Sequence, residues 1–250
     1  ILAIALPGWL AFEALFAGER VPWPEASLIA GGLGYGAFLL VGWALHTWPG
    51  PISRLGVVGA FSLLIAGLGI LCIRRGPGFV RRDGLPKDAL WGVGCILLLA
   101  GAFRLPNLGY AEFQGDEVNV VHLAAAATPG YEEALFYHKK GPAEVLAVIV
   151  PYAGARFLTE GAARLPFAVA SLLAVVGLYV IAQRLGGQRA ARWAGLLAAL
   201  NGFFVAFGRI VQYQSLVLLF SVLTLYSALV YAERQKVRSL WLAALFGGLG

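Results

Sequence analysis

The sequence predicts an all-α protein built as a polytopic bundle of transmembrane helices. The chain is 60% apolar and only 13% charged, whereas about 25% of the residues in a soluble domain are charged. Its mean hydropathy is +0.78. Apolar runs close to the roughly 20 residues that cross a bilayer recur along the whole chain.

These runs give the predicted elements in order: 1–17, 27–46, 55–73, 89–105, 164–182, 192–208, 212–231 and 239 onward. One long polar connection, 106–142, separates the fourth run from the rest. The chain contains no Met and opens inside an apolar run, so we expect an internal piece of a longer protein. We expect residues 1–87 to form additional N-terminal transmembrane helices and a basic cytoplasmic loop, and 88–250 to begin a second membrane domain that continues beyond 250.

Basic residues predict the orientation of the helices. They cluster in three connections: Arg74, Arg75, Arg81, Arg82 and Lys87; Arg184, Arg189 and Arg192; Arg234, Lys236 and Arg238. Basic loops are retained on the cytoplasmic side, so the 106–142 connection should lie outside. The net charge of +6 therefore indicates topology, and we expect no nucleic-acid partner because no polar basic run interleaves aromatic residues.

The segment 143–156 does not fit this orientation if it is counted as a further membrane-spanning helix. It is short, charged at both ends, and interrupted by Pro151, which removes a helical hydrogen bond. If it crossed the membrane, the Arg184–Arg192 connection would fall outside, against the rule. We therefore predict a re-entrant or interfacial helix on the outer side. Arg164 and the 208–214 turn then share the outer face with Asp116.

Asp116 and Glu117 are the candidate catalytic residues. Adjacent side chains cannot point the same way, so one carboxylate can face a cavity while a structural partner holds the other. A carboxylate near a membrane face, with basic neighbours, suits a general base acting on an acceptor hydroxyl. The plainer alternative is a solvated acid pair in a loop.

Cations on the same face are candidates for binding a phosphate: His138, Lys139, Lys140, Arg164 and Arg209. Lysine binds phosphate as a point charge and arginine binds it through two N–H groups. Plainer alternatives stay open for each. The lysines could contact lipid headgroups, and the arginines could snorkel at helix ends. A lone His need neither bind a phosphate nor ligate a metal ion. No nucleotide-binding glycine motif accompanies them.

Several short motifs occur in a recognisable order: Gly115-Asp116-Glu117, Tyr137-His138-Lys139-Lys140-Gly141-Pro142, Ala163-Arg164-Leu165-Pro166, Ala182-Gln183-Arg184-Leu185-Gly186-Gly187 and Gly208-Arg209. Over roughly 88–231 this pattern resembles the protein O-mannosyltransferase and aminoarabinose transferase superfamily. These are membrane glycosyltransferases of the GT-C fold. The 88–250 region would then be the N-terminal part of a GT-C membrane domain.

The resemblance implies an inverting transfer of a sugar from a polyprenyl-phosphate donor, with the active site in an extracytoplasmic loop. Asp116 matches the loop aspartate of the family, with Glu117 beside it. The Lys140 element matches the one near the donor phosphate, and Arg164 and Arg209 match recurrent arginines. Many relatives carry a second acid where this chain has Gln214, a possible second-site polar residue. A bound divalent metal ion is left open.

The expected partners are a polyprenyl-phosphate sugar, an acceptor protein, lipid or polysaccharide, and membrane lipids. The expected location is the plasma membrane of a prokaryote, as a multi-pass protein with its active site facing outside. An alternative function is a transporter or flippase of lipid-linked sugar precursors, which would grip the phosphate without chemistry. A purely structural subunit is disfavoured, since it has little use for so many ionisable groups on one face.

Overall fold

The computed structural model describes residues 1–75, 80, 87–155 and 157–250, and the regular structure within these ranges is helical. The all-α fold class is therefore confirmed. Arg81, Arg82 and Arg156 lie outside the described residues. The helices are α1 (Leu2–Phe16), α2 (Trp23–Thr47), α3 (Arg54–Arg74), α4 (Lys87–Arg104), α5 (Asp116–Ala127), a 3-10 turn (Glu132–Leu135), α6 (Ala143–Gly154), α7 (Glu160–Leu200), α8 (Gly202–Phe207), α9 (Gln214–Arg234) and α10 (Val237–Leu249).

Within the described ranges, four helices are long and apolar enough to cross a membrane: α2, α3, α7 and α9. α7 folds back on itself at Gly187, whose φ of +72° lies in the left-handed region that glycine tolerates. The backbone at Gly195 consequently packs against the ring of Tyr179. In a straight helix about 24 Å would separate these two residues. The two limbs correspond to the predicted runs 164–182 and 192–208, with the chain reversing in the predicted basic connection.

The second limb ends at Leu200, inside the predicted 192–208 run. The Asn201 side chain accepts a hydrogen bond from the Phe204 N–H at 3.1 Å and so starts α8. Arg104, at the end of α4, is fully buried and donates to the Ala198 carbonyl (3.0 Å) and the Ala199 carbonyl (2.9 Å). Carbonyl groups at a helix end lack helical partners and carry partial negative charge. Arg104 therefore fastens α4 to the end of α7.

The three basic connections meet at one end of the bundle, which we call the basic end. Arg184, in the α7 turn, binds the carboxylates of Glu25 in α2 and Glu233 in α9. Lys236 and Arg238, between α9 and α10, bind Glu19 at 2.9 and 2.8 Å. The connection after α3 reaches the same place, since Arg75 donates to the Ala14 carbonyl and Arg238 to the Leu15 carbonyl. The charge pattern predicted this grouping.

The polar connection 106–142 contains a helix that the sequence reading did not predict, α5. It begins at Asp116, directly after Gly115, which has a φ of +52°. The two acids in its first turn complement the positive end of the helix dipole. The buried positions Glu117, Val120, Ala124 and Ala127 recur at helical spacing and form the inward face of α5, which packs on α6.

α6 does not cross the bundle. Lys140, just before it, binds Asp116, and Gly161, just after it, packs against Gly109 in the loop that leads to Asp116. Twelve residues also span only about 18 Å. One part of the expectation is wrong: α6 does not lie on the surface as an interfacial helix. It is buried throughout Glu144–Val150 against α2, α5 and α7, because it is apolar on all sides.

Candidate active site

The end of the bundle opposite the basic end brings together three connections, and we call it the site end. Asp116, at the start of α5, accepts hydrogen bonds from Lys140, which precedes α6, and from Gln212, which precedes α9. The distance from Gln212 Nε2 to Asp116 Oδ2 is 3.0 Å. The structure therefore brings Asp116 together with the 138–142 and 208–214 segments.

Glu117 points away from Asp116 and is buried against Arg164. Arg164 Nε and Nη2 each lie 2.8 Å from a different oxygen of the Glu117 carboxylate. Glu117 Oε1 also accepts from the Val211 N–H at 2.9 Å. The remaining N–H groups of Arg164 donate to the carbonyls of Leu108, Ala111 and Glu112. The pair thus joins α5, α7, the preceding loop and the turn before α9.

This geometry corrects two of the expected roles. Arg164 uses all five of its N–H groups, so it has none left for a donor phosphate. Glu117 has both oxygens occupied, and only 4% of the residue is exposed, so it is not placed to take a proton from an acceptor. Both residues act as structural partners here, because the guanidinium fork fits a carboxylate and loop carbonyls together.

The electrostatics separate the two adjacent acids further. The hydrogen bond from Lys140, followed by that from Gln212, holds the pKa of Asp116 below its usual value. The same contact with Asp116 raises the pKa of Lys140. Burial alone would raise the pKa of Glu117, but hydrogen bonds from Arg164 and the Val211 N–H outweigh it, and the net shift is downward. At neutral pH, Asp116 is an ionised carboxylate with 59% of its side chain exposed.

His138, expected near the phosphate, is instead buried beside Glu144. His138 Nε2 lies 2.6 Å from Glu144 Oε2, and this contact ties the turn that carries Lys140 to the first turn of α6. Burial raises the pKa of Glu144, and the hydrogen bond with His138 opposes that shift. Sequence reasoning missed Glu144 as a site residue. The signal that could have found it is an acid inside an apolar segment, six residues after a His.

Lys139 and Arg209 lie at the surface of the site end. Lys139 is exposed, and no hydrogen bond or ion pair joins it to the described part of the chain. Arg209 donates to the carbonyls of Phe103 (3.0 Å) and Asn107 (3.3 Å) and stands 5.4 Å from the centre of the Tyr110 ring. Arg209 therefore keeps N–H groups for a further ligand, although no described contact links it to Asp116.

Gln212, not Gln214, is the amide at Asp116. Gln214 is the first residue of α9 and lines a different space, a cavity of about 260 Å³ among Phe203, Phe204 and Phe207. The polar run 212–214 was visible in the sequence, but which amide faces Asp116 depends on where α9 begins. The expected second-site residue Gln214 is thus separate from the Asp116 cluster.

Two largely apolar cavities flank this cluster. Tyr213 borders the 260 Å³ cavity, and its ring centre lies 5.2 Å from Lys140 Nζ. Lys140 in turn lines a larger cavity of about 440 Å³. Within the residues that the structure describes, no three His, Cys, Asp or Glu side chains are grouped to hold a metal ion. The arrangement offers one exposed carboxylate, one lysine and apolar space on both sides.

Residues 155–250 match the family model of dolichyl-phosphate-mannose-protein mannosyltransferase. The match supports a GT-C-like mannosyltransferase superfamily. It confirms the resemblance found in the sequence, and with the apolar helices it supports an integral membrane glycosyltransferase of the GT-C type. Arg164, Arg209 and Gln214 lie within the matched residues, whereas Asp116 and Lys140 precede them. No curated protein and no solved structure matches the chain.

Proposed function

We propose that the protein transfers a sugar from a polyprenyl-phosphate donor to an acceptor hydroxyl on the extracytoplasmic face of the membrane. The observation that carries the proposal is the Asp116–Lys140 pair, which lies between two apolar cavities at the site end. A donor of this class combines an apolar chain with an anionic phosphate, and both have a counterpart here. The acceptor is a protein, a lipid or a polysaccharide.

Asp116 is the general base in this proposal. It removes the proton from the acceptor hydroxyl while that oxygen forms a bond to the anomeric carbon of the sugar. The bond between the anomeric carbon and the phosphate oxygen breaks, and the polyprenyl phosphate leaves with the electron pair. Attack opposite to the leaving group inverts the anomeric configuration. Lys140, already charged and held at the mouth of a cavity, stabilises the negative charge that develops on the phosphate.

The roles of Asp116 and Lys140 are linked, because the ammonium group of Lys140 is bonded to the Asp116 carboxylate before the donor binds. A donor phosphate competes with the carboxylate for the same ammonium group. As Lys140 turns to the phosphate, the pKa of Asp116 rises back towards its ordinary value, since its first cause of lowering is removed. Donor binding thus releases a stronger base, and the acceptor reacts only when the donor is in place.

The proposed sidedness follows from the charges at the two ends of the bundle. Arg184, Lys236 and Arg238 mark the basic end, and basic connections are kept in the cytoplasm. The site end then faces outside in the plasma membrane of a prokaryote. A lipid-linked donor fits this location because it needs no nucleotide on that side.

Replacing Asp116 by Asn tests the proposal. With the protein in liposomes that contain defined polyprenyl-phosphate sugars, we expect transfer to fall by about 10²–10⁴-fold, the usual contribution of a general base. Binding of polyprenyl phosphate should not weaken, and it should tighten, because Lys140 loses its competing carboxylate. Glu112→Gln is the matched control: it removes an exposed carboxylate from the same loop and should change neither quantity.

Two results would contradict the proposal. Transfer retained in Asp116→Asn would remove Asp116 from the chemistry. A wild-type protein that carries lipid-linked sugars across the bilayer, without ever cleaving them, would be a flippase. Measuring product formation and lipid movement in the same liposomes separates these cases.

A further inference from the structure

Glu144, in the first turn of α6, is a buried acid that the proposed reaction does not use. Only 1% of the residue is exposed. Its Oε2 lies 2.6 Å from His138 Nε2, whereas its Oε1 has no hydrogen-bond partner in the described part of the chain. Burying a polar oxygen without a partner costs free energy, and apolar residues of similar volume often replace a buried ion pair without loss of stability. Fold stability therefore does not explain the pair.

His138 begins the turn that carries Lys140. The Gly141 N–H donates to the His138 carbonyl at 3.2 Å, which closes a four-residue turn with Lys139 and Lys140 at its two central positions. Gly141 has a φ of +93°, and this left-handed conformation, which glycine tolerates, leads the chain from the turn into α6. His138 is therefore held twice, through its carbonyl by the turn and through its ring by Glu144.

α6 gives this connection a fixed base. The helix is buried from Glu144 to Val150 against α2, α5 and α7. The side chain of Lys140, in contrast, is 32% exposed and carries its charge on a flexible four-carbon stem. Glu144 is close enough to act on this charge: the contact with Asp116 raises the pKa of Lys140, and the Glu144 carboxylate adds a smaller shift in the same direction. The pair thus joins the packed interior to the exposed cation.

We propose that Glu144 is a positioning residue: through His138 it fixes the turn that presents the Lys140 ammonium group to the donor phosphate. This inference rests on the proposed function. An ammonium group acts on phosphate as a point charge, so its effect depends on the distance at which it is held. A misplacement of about 1 Å in a reacting site can lower the rate by about 10²-fold. Glu144 touches no substrate in this scheme and acts only through His138 and the turn.

A double-mutant cycle on phosphate binding tests this role. The probe is a fluorescent polyprenyl phosphate, titrated into the protein in lipid nanodiscs. We expect Glu144→Ala to weaken binding by about tenfold, within the range for coupled residues of one network. In the Lys140→Ala background the same change should alter the affinity by less than about twofold, because the cation that Glu144 positions is already absent. Equal losses in the two backgrounds, or no loss in Glu144→Ala alone, would overturn the proposal.

Two further variants separate positioning from folding. Glu144→Gln keeps an acceptor of the same size for the His138 ring, and we expect its binding to stay close to that of the wild type. The double variant His138→Leu, Glu144→Leu removes both polar partners, which can be neutral for stability. Its thermal unfolding midpoint should be kept, while phosphate binding falls as in Glu144→Ala. Wild-type binding in the double variant, or a loss in Glu144→Gln as large as in Glu144→Ala, would contradict the positioning role.

Glu133→Ala is the matched control. Glu133 is exposed and accepts a hydrogen bond from the Tyr137 hydroxyl at 2.8 Å. Its loss removes a carboxylate contact from the residue next to His138 without touching the Glu144 pair, and we expect unchanged phosphate binding. A loss equal to that of Glu144→Ala would show that any disturbance of this loop weakens binding, and would rule out a specific role for Glu144.

The two proposals fail in different ways. Sugar transfer that depends on Asp116, together with phosphate binding that is independent of Glu144, would remove the positioning role and keep the transferase. Coupled effects of Glu144 and Lys140 on phosphate binding, without any sugar transfer, would keep the positioning role at a lipid-phosphate site and remove the transferase.

Discussion

The two ends of the bundle use acidic and basic side chains in different ways. At the basic end, Glu25 and Glu233 share Arg184, and Glu19 binds both Lys236 and Arg238. Each of these contacts joins separate helices or their connections. At the site end, the pairs Arg164–Glu117 and Lys140–Asp116 also join separate elements, but only Arg164–Glu117 is buried.

The difference lies in burial and in the number of bonds. Arg164 is 1% exposed and makes five hydrogen bonds, whereas the side chain of Lys140 is 32% exposed and binds Asp116 through a single contact. A buried multidentate pair is hard to break, because either partner alone would be a buried charge. An exposed single contact exchanges readily. Ion pairs that can exchange are therefore the ones to expect at a site where a charged ligand enters.

The largest effect should come from breaking the buried pair. Glu117→Gln leaves the Arg164 charge uncompensated, and we expect a loss of about 3–5 kcal/mol in the free energy of unfolding at pH 7. The pKa of Glu117 is lowered in the folded protein, so its contribution is present above the unfolded pKa. It is lost as the pH falls through the folded value. The stability difference from wild type, measured by thermal unfolding in detergent, should therefore shrink in acid.

Asp116→Asn is the matched control for stability, because Asp116 is exposed and its loss leaves no buried charge. Arg184→Gln should behave like Glu117→Gln, since it strands Glu25, and should not change donor affinity. The comparison between the ends would be wrong if Asp116→Asn destabilised the protein as much as Glu117→Gln.

A smaller effect is expected from Lys140→Ala. Hydrogen bonds to charged groups contribute about 1.5–3 kcal/mol, so the affinity for polyprenyl phosphate should fall by roughly 10–100-fold. Equilibrium binding of the labelled lipid phosphate measures it. Lys139→Ala removes the same charge one residue earlier, from an exposed side chain, and should leave the affinity nearly unchanged. Equal losses in both variants would show a general attraction to lipid headgroups instead of a site.

The sequence predicted the apolar helices, of which four among the described residues are long enough to cross a membrane, and the grouping of the basic connections at one end. Both follow from one strong constraint, the cost of leaving charges in lipid. The reversal at Gly187 also lay within reach, since two glycines and three arginines interrupt the apolar pattern between 182 and 193. These features depend on composition along the chain and not on the detailed packing.

The roles of individual charged residues were not predictable in the same way. Arg164 looked as suitable for phosphate as Arg209, and what distinguishes them is the set of loop carbonyls that Arg164 meets in the folded protein. The sequence predicted that one of Asp116 and Glu117 would face a cavity while the other was held by a structural partner. Which residue takes which position depends on where α5 begins. His138 and Glu144 pair only because α6 is buried. Such contacts are set by tertiary packing, which a pattern of residue types does not specify.

The smallest expected effect separates the two glutamines. Gln212→Leu removes the amide hydrogen bond to Asp116, so the charged form of Asp116 is stabilised less and its pKa rises. The acid limb of the transfer rate should therefore move to higher pH, with a loss of about threefold to tenfold near that limb. Gln214→Leu is the control, since Gln214 lines the cavity of Phe203 and Phe207 instead. Transfer rates measured across acid pH distinguish the two variants. If the acid limb of the pH profile moved only in Gln214→Leu, the polar residue that acts with Asp116 would be Gln214, at the position where the family pattern has its acid. That result would contradict the geometry of the site end.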